Sequence, residues 1–235
     1  MTFEDFQTHI SPVRLQRYLT ATNLSQDRAM KLYEANLKVS QAFHPLLGLF
    51  EVVLRNNIDH ILKNHFSDSD WIINQKSGFM SDISLSYRQK QTGRKIVNDY
   101  LKNEVLKIEN KLQSKGITIT SGKIIAEQTF GFWTDLFAVH HYRLLKGKPI
   151  QIFTSLPSNT NRSNIFDQLT KIRKFRNRIN HNEPICFLGS QISFKETLEV
   201  YQHIIQLFTW IDPQLISIII DLDEVQQTIQ QALKV

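Results

Sequence analysis

The chain has 235 residues, 41% of them hydrophobic and 21% charged, with 28 Lys plus Arg against 22 Asp plus Glu for a formal charge of +6. This is an ordinary globular composition, neither disordered nor membrane-like, and the positive balance is compatible with a polyanionic partner. Eight Gly and six Pro are few for this length, which argues against a many-stranded sandwich or barrel and favours long helices; the lone cysteine, Cys186, excludes an internal disulfide and a Cys-based zinc site.

In chain order, Phe3, Phe6 and Ile10 suggest a short amphipathic opening. Ser11-Pro12 reads as the cap and first position of a helix carrying Val13, Leu15, Tyr18 and Leu19. After a break at 23–25 a helix begins near Gln26, and Pro45 is expected to restart or kink it. From there to about His65 the apolar spacing is strongly helical. Residues 67–86 are rich in Ser and Asp, with Trp71, Ile72 and Ile73 as a short anchor. A charged helix is predicted from about 87 to 113, ended by Gly116, followed by an extended segment at 117–119.

Thr120 or Ser121 is expected to cap a single helix from 123 to about 145, with Phe130, Phe132, Trp133 and Phe137 in the core. Residues 150–161 read as loop with room for one short strand. A helix follows over 161–182, carrying Ile165, Phe166, Leu169, Ile172, Phe175 and Ile179, and Pro184 stops it. A helix over 194–210 and further helices to Leu233 complete an all-α chain, read as one helical domain over 1–235. The first residues lack the apolar run of a signal peptide, and no stretch of about 18 apolar residues occurs. The expectation is a cytoplasmic protein with no membrane association.

The run KIRKFRNRINHNEPI, beginning at Lys171, carries the candidate chemistry. Asn177 and His181 stand four residues apart and share a helix face. Arg176 lies well round the helix from His181, but its long side chain can bend to the same place. The dipole of a helix C-terminus favours positive groups there. Arginine offers a planar fork to phosphate oxygens. Histidine can take a proton from a ribose 2′-hydroxyl or return one to the leaving oxygen. Because RNA supplies its own nucleophile, the reaction needs no metal and no cofactor. A second match to the same spacing runs from Arg55 through Asn56 to His60, where ion pairing of Glu51 with Arg55 is an ordinary alternative. Lys174 and Arg178 are candidates for the RNA backbone, as are His141 and Arg143 at a basic helix end. His140 and His141 are adjacent and are expected on different helix faces, which argues against a metal site there. His44, His203 and Cys186 read as structural.

Three runs in order, FHPLLGLFEVVLRNNIDHIL, KIIAEQTFGFWTDLF and KIRKFRNRINHNEPI, resemble the Abi-like (abortive infection) proteins of bacteria, members of the HEPN superfamily of helical RNases and RNA-binding modules. The resemblance spans about 11–185. It implies a HEPN-like helical bundle with additional helices, a place in phage-defence or toxin-type systems, and an endoribonuclease motif on Arg176, Asn177 and His181. It also implies that Glu51, Arg55 and Asn56 pack beside that motif. Some members only bind RNA, so a non-catalytic module holding a structured RNA, or a helical protein–protein module, are alternatives. Acid and base at one phosphate call for two proton carriers. A two-fold homodimer supplies the second, or Arg55 and His60 complete the site within one chain. RNA is the expected partner, with an antitoxin or phage-derived trigger as a further one.

Overall fold

Local capping decides where the first helices begin. In the computed structural model, which describes residues 2–235 apart from the side chain of Tyr87, Thr2 and Asp5 exchange reciprocal side-chain and backbone hydrogen bonds of 3.1 Å and open α1, Phe3–Ile10. The Ser11 hydroxyl accepts from Arg14 N at 3.4 Å and Pro12 takes the first position of α2, Pro12–Ala21, as the sequence predicts. The next element, α3, runs without interruption over Gln26–Phe66 and contains Pro45. Proline inside a helix costs about 3 kcal/mol. Here fully buried Val39, Phe43, Leu46 and Phe50 flank it on the apolar face, and their burial outweighs the missing hydrogen bond. The expected restart at Pro45 does not occur.

After α4, Trp71–Asn74, and two 3-10 turns at Phe79–Ser81 and Ile83–Leu85, the chain forms an antiparallel hairpin, β1 Ser86–Arg88 with β2 Lys95–Val97. This corrects the predicted charged helix, which starts only at α5, Tyr100–Ser114. Gly93 adopts φ +66 and its N–H closes the turn onto Gln89 O at 2.9 Å, a left-handed position that glycine takes at no steric cost. Gly116, at φ +64, lies just past the end of α5 as expected, and Ile117 N donates to Leu112 O at 3.0 Å.

The single helix predicted over 123–145 is three: α6 Ser121–Glu127, α7 Phe130–Asp135 and α8 Val139–Leu144. Gln128 and Ala138 are extended, and Thr129 caps Phe132 N at 3.4 Å, so local side-chain-to-backbone bonding breaks the run. A 3-10 turn at Lys148–Ile152 takes the first residues of the expected loop, and the rest, 153–161, is irregular as predicted. Then come α9 Arg162–Asn180, a small hairpin of β3 Phe187–Leu188 and β4 Gln191–Ile192, and α10 Lys195–Ile211, α11 Leu215–Ile220 and α12 Val225–Ala232. Among the described residues 68% are helical and 4% are in strands, which establishes an all-α fold.

The chain divides into two compact units, one made of residues up to Phe50 and from Lys174 onward, the other of Glu51–Arg173. The first is built around aromatic edge contacts: Tyr18 against Phe187 at 5.2 Å, Phe43 against Phe175 at 4.7 Å, and Phe50 against Phe208 at 5.2 Å between ring centroids. The second buries Trp71, Phe130, Phe132, Trp133 and Phe137 almost completely, and Trp71 Nε1 donates to Asp59 Oδ1 at 2.9 Å. The aromatic cluster is therefore core, as expected.

Among the described residues α3 alone is long and apolar enough to cross a bilayer, by length and composition only. Its stretch 39–50 carries no Asp, Glu, Lys or Arg, although Ser, Gln and His keep it from being an apolar run. Phe43, Leu46, Phe50, Leu54, Ile58 and Leu62 are all fully buried, and one third of the apolar window as a whole is buried.

Cys186 is fully buried, and burial pushes its thiol up to about 12. The thiolate is the reactive species. The native protein is expected to resist a thiol reagent at neutral pH and to react with one equivalent after unfolding; rapid labelling of the native chain would contradict this.

Candidate RNA-processing site

The helix that carries the motif is held at both ends. Asn161 Oδ1 accepts from Ser163 N at 2.8 Å and from Asn164 N at 3.3 Å, which starts α9. Ile165, Leu169, Ile172, Phe175 and Ile179 form its buried stripe at three- and four-residue spacing. At the far end Asn182 takes the left-handed region at φ +53 and Glu183 N donates to Arg178 O at 2.8 Å. Asparagine tolerates that conformation, and the bond satisfies a terminal carbonyl. Pro184 then prevents continuation.

The residues after the helix are pinned from the interior. Ile185 N donates to Oδ1 of buried Asn36 at 2.8 Å, and Thr197 Oγ1 donates to Ile185 O at 2.7 Å. Arg14 Nη1 donates to Asn182 O at 2.8 Å. Asn36 and Thr197 were not legible as site supports, because neither lies near the motif in sequence. Asn36→Leu leaves the Ile185 amide buried without an acceptor, and a loss of about 1–3 kcal/mol is expected. Urea denaturation checks this; an unchanged midpoint would show that the bond contributes nothing.

The exposed face of the helix end presents Lys174, Asn177 and His181, and Arg176 is half-buried. His181 lies in the turn just past α9, its backbone N–H donating to Asn177 O at 2.9 Å. Among the described residues the side chains of Asn177 and His181 make no hydrogen bond or ion pair, so both are available to a ligand. Arg178, expected on the RNA backbone, is instead a strap. It donates through Nη2 to Pro184 O, and its Nη1 lies 3.4 Å from Glu196 Oε2.

Glu51, Arg55, Asn56 and His60 belong to the second unit. Glu51 and Arg55 are half-buried, while Asn56 and His60 are exposed. Arg55 Nη1 donates to Ala126 O at 3.3 Å, near the carboxyl end of α6. That is a structural use of the guanidinium, on the end of a helix dipole that attracts it. His60 Nε2 lies 3.2 Å from Asn64 Nδ2.

At the basic helix end, Arg143 is exposed but His141 is fully buried. A phosphate on the surface cannot reach that ring, so His141 is corrected from an RNA contact to an interior group. The same unit holds a cavity of about 320 Å³ that no sequence motif marks, lined by Ile61, Asn64, His65, Lys148 and Gln151. The His65 imidazole is held below its ordinary value, first by burial and then by Lys148 and Lys146. His44 is exposed and His203 half-buried.

Adjacent His140 and His141 do not diverge as expected: their ring centroids are 4.2 Å apart. Both lie in the first turn of the short α8, and one ligating atom from each falls within 4.8 Å of the other and of Asp135. Comparison with protein-family models, with curated proteins and with solved structures found no match.

Proposed function

We propose that the chain is a metal-independent endoribonuclease, acting in a bacterial phage-defence or toxin-type system as its resemblance to Abi-like proteins implies. One observation carries the reading: an imidazole with no intramolecular partner among the described residues stands at an exposed helix end, with Asn177 one turn back, and half-buried Arg176 precedes it by five residues. In this reading His181 takes the proton from a ribose 2′-hydroxyl, and the freed oxygen attacks the adjacent phosphorus. The bond from phosphorus to the 5′-oxygen breaks, and that oxygen leaves with a proton. The products are a 2′,3′-cyclic phosphate and a 5′-hydroxyl. Arg176 holds the phosphate oxygens, Asn177 orients the imidazole or one oxygen, and Lys174 attracts the backbone. A second copy of the chain, related by a two-fold axis, brings the imidazole that protonates the leaving group.

Incubating purified protein with labelled RNA tests the reading. Shortened RNA in the presence of a chelator supports it. A gel shift at unchanged length that weakens with salt would replace it with an RNA-holding module. Absence of both binding and cleavage would point to a protein–protein module.

A further inference from the structure

We propose that Asp135, His140 and His141 bind one divalent cation of the zinc class. Two imidazoles and a carboxylate are a ligand set that such ions take. The three residues come from one short stretch, the last residue of α7 and the first turn of α8, and a ligating atom of each lies within 4.8 Å of the others.

The hydrogen bonding leaves lone pairs to be used. His141 Nδ1 donates to the backbone O of Asp135 at 3.2 Å, which puts the lone pair on Nε2. That nitrogen is buried, in a residue with no exposed surface, and has no partner among the described residues. A ligating histidine ordinarily gives its other N–H to a carbonyl or carboxylate in this way. Asp135 Oδ2 sits 2.8 Å from His141 Nδ1, yet it too is buried without a hydrogen bond. That oxygen faces the Nδ1 side of the ring, as an ion pair does when the imidazole is protonated, so the carboxylate would meet an ion on the Nε2 side through Oδ1. Leaving the Nε2 lone pair unsatisfied is costly, and a cation would satisfy it.

His140 has a positioning partner. Asn98 Nδ2 lies 2.6 Å from His140 Nε2, and Asn98 Oδ1 accepts from Tyr100 N at 3.4 Å. An ion on His140 Nδ1 requires that amide to turn, so that its oxygen accepts from Nε2–H and gives up the Tyr100 contact. His140 and Asp135 are half-buried, which gives an ion a way in and leaves one coordination position for water. The ion would tie the end of α7 to the start of α8 and, through Asn98, to the segment that follows the hairpin. None of this draws on the nuclease reading, and cleavage is not its readout.

The test uses the full chain without a polyhistidine tag, stripped by a chelator, dialysed, and titrated with Zn²⁺ by calorimetry. Uptake of one ion per chain with a raised melting temperature is expected. Asp135→Asn and His140→Gln should each weaken binding by at least about tenfold, and Asn98→Ala should weaken it through orientation of His140. If the stripped chain takes up no zinc, or if both ligand variants bind as tightly as the parent, the proposal fails. Should the variants not fold, Co²⁺ in the parent decides. An intense visible spectrum of a low-coordinate ion with nitrogen ligands supports the site, and the weak spectrum of the hydrated ion overturns it.

Discussion

His181→Ala is expected to lower the rate of RNA cleavage by about two to four orders of magnitude, the usual contribution of a positioned proton carrier. The same change should leave thermal unfolding almost where it was. His181 is exposed, and among the described residues its ring makes no bond that folding would lose. Surface substitutions of this kind stay within about 0.5 kcal/mol. The contrast between lost activity and retained stability separates a chemical role from a structural one. Binding offers a second separation: the variant should still retain RNA, because Arg176 and Lys174 carry the phosphate contacts in this reading. A variant that cleaves as fast as the parent removes His181 from the mechanism. A variant that unfolds early would show that the ring has a role in the fold.

The second large effect lies in the core of the same unit. Phe43→Ala is expected to cost about 3–5 kcal/mol, the range for truncating a buried aromatic ring. Phe43 has no exposed surface, and its ring meets Phe175 edge-on at 4.7 Å between centroids. Total stability of a domain is about 5–15 kcal/mol, so this single change removes a large share. The consequence reaches the site through sequence adjacency. Phe175 immediately precedes Arg176, and its burial sets how the last turns of α9 are rotated. Urea denaturation should show a lowered midpoint, and residual cleavage should fall even where the chain is still folded. A loss below about 1 kcal/mol would mean that the ring is not packed as described.

The helix carrying the motif was legible because several independent signals agree. The apolar stripe from Ile165 to Ile179 has helical spacing, and Pro184 forbids continuation. The left-handed Asn182 that actually turns the chain could not be read, since asparagine is acceptable in many conformations. Elsewhere local chemistry overrode the periodicity. Thr129 and the extended Gln128 divide what reads as one aromatic helix. Gly93 turns a stretch rich in Lys, Arg and Gln into a hairpin. Pro45 shows the reverse, with tertiary burial overriding a local breaker.

The candidate site was read unevenly for the same reason. Residue types pick out Arg176, Asn177 and His181, but not the structural ties of Arg178 and Arg55. Arg178 is tied to Pro184 and Glu196, and Arg55 to Ala126. These partners lie too far along the chain, or are backbone carbonyls that every residue owns. The metal candidate shows the limit most clearly. Adjacent histidines diverge on an ideal long helix. The interhelix turn before the short α8 places Asp135 beside them, and that turn was not foreseen.

The most direct measurement is the chemistry of the RNA ends left by the purified chain in excess chelator. Fragments that end in 2′,3′-cyclic phosphate and begin with 5′-hydroxyl are expected from the parent and should be lost in His181→Ala. Fragments that begin with 5′-phosphate, or RNA left intact by the parent chain, would contradict this.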